Sequence, residues 1–137
     1  MKPILCALDF SKSSIHVLKM AFDLATRFET SVTILFAYRL VQSSDGAITE
    51  FRKGVEAQAL NDFEGLINKL SVKGSVKYEF RSEIGFLSDR IEVFAQQNKI
   101  DMVVISLEMA NTINDHKGLL LRDFIKSTKT PLLIVPE

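Results

Sequence analysis

The chain has 137 residues, of which 47% are hydrophobic and 25% charged, a size that suits one domain burying roughly two-thirds of its unfolded surface. Its 17 basic and 17 acidic side chains cancel and are interspersed, which leaves no electrostatic footprint for nucleic acid or an anionic membrane. The apolar runs fall far short of the ~20 residues a spanning helix needs. The single Cys6 cannot form an internal disulfide, and no charged leader follows Met1, so a soluble protein of the reducing cytoplasm is expected.

Ile4 to Leu8 is an unbroken apolar run, the pattern of a strand buried on both faces. Ser11 is the expected N-cap of a helix in which Ile15, Leu18, Ala21, Phe22, Ala25 and Phe28 recur at spacings of three and four. Val32 to Tyr38, rich in β-branched and aromatic residues, reads as the second strand. A polar, turn-rich stretch from Val41 to Ile48 follows, and then Phe51, Val55, Ala59, Phe63, Leu66, Ile67 and Leu70 predict a long helix that Lys73-Gly74 ends.

Val76, Tyr78 and Phe80 alternate with Lys77, Glu79 and Arg81, the period of two expected of a strand at the sheet's margin. Beyond Gly85 a third helix is predicted with Phe86, Leu87, Ile91, Phe94 and Ala95 inward, stopping near Asn98. Met102 to Ile105 is the fourth strand. A loop from Ser106 to Lys117 leads to a fourth helix through Leu120, Leu121, Phe124 and Ile125, and Leu132 to Val135, bracketed by Pro131 and Pro136, is the last strand.

Strands alternating with helices imply right-handed βαβ units and a doubly wound, Rossmann-like α/β fold: a five-stranded parallel sheet of order 3-2-1-4-5 with helices on both faces. Ligands of such folds sit outside the carboxyl ends of the strands, where the strand order reverses. That places the search at two loops, Asp9-Phe10-Ser11 and Ser106-Leu107-Glu108. An Asp in this position can contact a ribose or a metal, and it can equally stabilise the turn it opens. Ser11, Ser13 and Ser14 are helix-start residues before they are nucleophiles. Cys6 is expected to be core, and His16 and His116 have no Cys or His neighbours at metal-ligand spacing. The glycine signatures of dinucleotide, P-loop and α/β-hydrolase sites are absent, and no catalytic constellation is found, so the chain is not expected to be an enzyme.

The run Ile4 to Ser11, Gly85 before the third helix, Asp101-Met102-Val103-Val104, and Thr130 to Val135 occur in the order and spacing of the universal stress proteins, which this sequence resembles over its whole length. The resemblance implies a single domain spanning residues 1 to 137. It also implies that ATP, if bound, would lie on a loop of pattern G-x2-G-x9-G followed by Ser or Thr, where backbone N–H groups approach phosphate. In this sequence Gly118 falls on the third glycine and Leu119 on the hydroxyl residue; the earlier glycines fall near Ile105 and Glu108, or near Ser106 and Met109. A carboxylate at Glu108 beside a triphosphate is repulsive by up to ~4 kcal/mol per charge pair at 4 Å.

The expected function is therefore a stress-response regulator that works by protein interaction, with no cofactor. The alternative is an adenine-nucleotide regulator holding ATP or AMP through Asp9, Ser11, Ala37, Ile105, Ser106 and Gly118, and a slow nucleotide hydrolase ranks third. Leu132, Leu133, Ile134 and Val135, an apolar strand at the sheet's edge, must be covered or paired, and the resemblance implies homodimerisation through that strand.

Overall fold

A computed structural model of the chain describes residues 1–40, 48–70, 76–97, 99–115 and 120–136. Five strands, β1 (Ile4–Ala7), β2 (Val32–Tyr38), β3 (Tyr78–Ile84), β4 (Met102–Ser106) and β5 (Leu132–Val135), form one parallel sheet in the expected order β3-β2-β1-β4-β5. The described helices are α1 (Ser14–Phe28), α2 (Ile48–Leu70), α3 (Leu87–Gln96), α4 (Leu107–Asp115) and α5 (Leu121–Thr128).

The apolar runs of the central strands feed two cores because successive side chains point to opposite faces. Ile4, Cys6, Leu8, Val32, Ile34 and Val104 pack with α1 and with Phe63 of α2. Leu5, Ala7, Leu35, Val103 and Ile105 pack with Ile91 and Phe94 of α3, Ala110 and Ile113 of α4, and Phe124 of α5. Each large side chain so buried stabilises the fold by about 1.5–3 kcal/mol. Burial also pushes the Cys6 thiol well above its ordinary range, so this residue is core, as its position predicted.

The principal difference from expectation lies after β4. The stretch from Ser106 onward, expected as a loop, is helical from Leu107 to Asp115, because Met109, Ala110 and Ile113 all find places in the core. Three smaller corrections follow from packing. β3 runs to Ile84 because it pairs along the whole of β2, from Val32↔Tyr78 to Tyr38↔Ile84. α1 begins at Ser14 with Ser13, not Ser11, in the cap position, and Phe28, expected inward, is 46% exposed at the helix end. α2 begins three residues before Phe51. The turn at Val41 to Gly46, the helix stops at Gly74 and Asn98, and His116, Lys117, Gly118 and Leu119 lie outside the described residues.

Candidate functional site

β1 delivers Asp9 to the switch point and the next four residues turn into α1. The Asp9 Oδ1 atom accepts the Ser11 backbone N–H at 2.9 Å and the Ser14 hydroxyl at 3.2 Å, while the Ser11 and Ser13 hydroxyls share a bond of 3.0 Å. Of the two readings of Asp9, turn stabilisation is thus in place, and its second carboxylate oxygen keeps acceptor capacity. Phe10, between these residues, has φ 60°, a left-handed conformation that costs an L-residue roughly 1–2 kcal/mol. Its ring lies against Phe36 with centroids 5.1 Å apart.

β2 contributes Ala37, Tyr38 and Arg39. The Tyr38 carbonyl accepts the Gly85 N–H at 2.8 Å, which binds the start of α3 to the end of β2. Gly85 has φ 137°, a conformation that side-chain-bearing residues rarely adopt, so the turn from β3 into α3 requires glycine there. The Arg39 guanidinium lies 4.2 Å from the Phe86 ring centroid, a cation–π contact. The Tyr38 hydroxyl donates to Glu56 of α2, which also pairs with Arg52 at 3.1 Å. Burial and this hydrogen bond push the Tyr38 phenol up to about 12, and the same bond holds the Glu56 carboxyl below its usual value.

Asp9, Ala37, Arg39, Gly85, Phe86, Met109 and Thr112 line one cavity of about 150 Å³ at the carboxyl ends of β1 and β2. The structure therefore brings together two of the sequence-predicted residues, Asp9 and Ala37. Ser11 is engaged in the turn beside them. Ile105 is fully buried in the sheet and Ser106 is 1% exposed, and neither lines the cavity. The Ser106 hydroxyl is committed as the N-cap of α4, accepting the Met109 N–H at 3.1 Å. Gly118 lies outside the described residues. Sequence reasoning missed Arg39, Phe86, Met109 and Thr112. Arg39 directly follows a predicted strand, which is the signal that could have found it.

What this arrangement can do is bounded by its size and charge. Small-molecule pockets usually enclose about 300–1,000 Å³, so a cavity of about 150 Å³ admits a base or ribose-sized group and not a whole nucleotide. One carboxylate and one guanidinium flank it. Among the described residues no group of three or more His, Cys, Asp or Glu is placed to hold a metal, and no helix is long and apolar enough to cross a membrane.

A doubly wound parallel sheet with its reversal between β1 and β4, and a cleft at the carboxyl ends of β1 and β2 beside it, defines the Rossmann-like α/β class. Within that class, the profile of the universal stress protein family matches residues 1–136, and the chain belongs to that family of stress-response proteins. Solved structures agree on the fold. A universal stress protein in complex with cAMP is 20% identical, with 98% of this chain and 96% of that one covered at a TM-score of 0.72. The universal stress protein UspA from Lactobacillus plantarum is 17% identical over 98% and 96% of the two chains, TM-score 0.70. A family protein from Arabidopsis thaliana with AMP bound is 17% identical over 100% and 92%, TM-score 0.61. No curated protein sequence matches the chain.

Proposed function

We propose that this universal stress protein acts in the cytoplasm through protein interaction, as a homodimer and not as an enzyme, and does not hold ATP on a glycine loop after β4. The observation that carries this reading is α4. A phosphate cradle needs free backbone N–H groups in a turn, whereas here the chain enters a helix directly after Ser106, the Met109 N–H is taken by Ser106, and Glu108 supplies negative charge to the first turn. Dimerisation is supported by β5, an apolar strand with β4 on one side only.

Calorimetric titration with ATP, ADP and AMP, with and without magnesium, tests the reading. Absence of binding is expected, and micromolar affinity for ATP would sink it. A second reading rests on Asp9, Ala37 and Arg39 lining one cavity, which suits the base or the ribose of an adenine nucleotide with the phosphate turned to solvent near Arg39. Under that reading AMP or cAMP binds and an Arg39→Ala variant loses the affinity.

A further inference from the structure

α2 is the longest described helix, with 23 residues, yet only Ala59 and Phe63 on it are buried. Its first half has no buried residue and is tied to the sheet by the Tyr38 bond to Glu56. Between them runs a trough of about 450 Å³ floored by Phe10 and Phe36 and walled by Phe51, Val55 and Ala59. Gly54 also lines it, and a side chain at Gly54 would meet no atom within 4 Å. Phe10 contributes its ring from a left-handed backbone conformation, a strain more common at functional positions than in ordinary turns.

Two features say what the trough would accept. Its charged lining residues are Glu50 and Asp62, both acidic, and no basic residue lines it among those described. The two carboxylates stand twelve positions apart on α2, about 18 Å at 1.5 Å per residue, and the wall positions Phe51, Val55, Gln58 and Asp62 form one stripe at spacings of four, three and four. A trough that long, apolar along Phe10, Phe36, Phe51, Val55 and Ala59 and carrying a carboxylate toward each end, matches three turns of a helix better than a compact small molecule.

We propose that this trough docks an amphipathic helical segment of a partner protein, with apolar anchors along one face and a Lys or Arg near each end. The proposal extends the protein-interaction reading to a surface separate from the cavity lined by Asp9, Ala37 and Arg39, and peptide and nucleotide titrations read the two independently.

The test uses a fluorescent helical peptide of about twelve residues, with Leu at positions i, i+4 and i+7 and Lys at both ends, beside a counterpart in which Glu replaces Lys. Anisotropy with the whole chain should show the basic peptide binding at least about tenfold more tightly than the acidic one, and binding should weaken with salt. Gly54→Leu fills the trough and should weaken binding by about tenfold or more without lowering the melting temperature. Should that variant fail to fold, the double variant Glu50→Lys, Asp62→Lys should reverse the preference between the peptides. Equal binding of the two peptides, no binding of the basic one at millimolar concentration, or unchanged binding to a folded Gly54→Leu protein overturns the proposal. So does a change in sedimentation of Gly54→Leu protein alone, which would assign the trough to a second copy of the chain.

Discussion

The Ser106 hydroxyl accepts the Met109 backbone N–H at 3.1 Å, and with that bond the last residue of β4 becomes the first fixed point of α4. Strand and helix meet with no intervening residue. Ser106 is nearly inaccessible, so neither group has water to turn to if the bond is removed. Ser106→Ala should lower the unfolding free energy by about 0.5–2 kcal/mol, measured by urea denaturation, and leave any affinity for AMP or cAMP unchanged. Loss of nucleotide affinity with stability intact would make Ser106 a ligand contact instead.

The same bond shows where the sequence was legible and where it was not. β1, β2 and β4 could be read because each is an apolar run whose residues are nearly all buried, and the strand order followed from their alternation with helices. α4 was hidden. It is nine residues long, and Asn111, Thr112, Asn114 and Asp115 are all poor helix formers. Its core contacts rest on Met109, Ala110 and Ile113, too few to stand out as periodicity. Ser106 followed by Met109 and Ile113 at i+3 and i+7 was the available signal. At Asp9 the residue type could not decide between ligand and turn; only the positions of Ser11 and Ser14 show that the turn uses it.

Phe10 combines an unfavourable backbone with a favourable side chain, and the two can be separated by substitution. Phe10→Ala keeps the φ of 60° in a residue with a Cβ while removing the contact with Phe36. Phe10→Gly loses the same ring and releases the strain. Glycine usually destabilises relative to alanine, but here Phe10→Gly should be the more stable variant by about 1 kcal/mol. The usual order, with alanine the more stable in thermal or urea unfolding, would mean that the turn is not left-handed in solution.

The Tyr38–Glu56 hydrogen bond ties β2 to α2 and makes stability depend on pH at both extremes. The folded-state Tyr38 pKa is raised, so the native protein keeps the phenolic proton where the unfolded chain releases it. This contribution is whole below the ordinary value of 10.0 and is lost as pH rises through about 12. Glu56 is held low, chiefly by the hydrogen bond from Tyr38. Its contribution is present above the ordinary carboxylate value and is lost as pH falls through the lower folded-state value. Arg52 is 57% exposed and its ion pair adds little. In a Tyr78→Phe background, phenolate absorbance should rise with a midpoint near 12, and Tyr38→Phe should flatten the alkaline decline in stability. A midpoint near 10.0 would show that neither the burial of the phenol nor its bond to Glu56 persists in solution.

At the sheet's edge, β5 offers a specific place to test self-association. Leu133 pairs in register with Val104, whose side chain faces α1, and Leu133 is 36% exposed while Val135 on the same face is 8% exposed. A lysine at 133 can therefore reach solvent in a monomer, and the fold should survive the change. Across a two-fold axis that pairs β5 with its copy, the same lysine would bring like charges together in an apolar contact, and like-charge juxtaposition destabilises strand pairing. Sedimentation should show the parent chain as a dimer and Leu133→Lys as a folded monomer, with circular dichroism confirming the fold. A parent that sediments as a monomer, or a variant that remains dimeric, would place the dimer contact elsewhere or remove it.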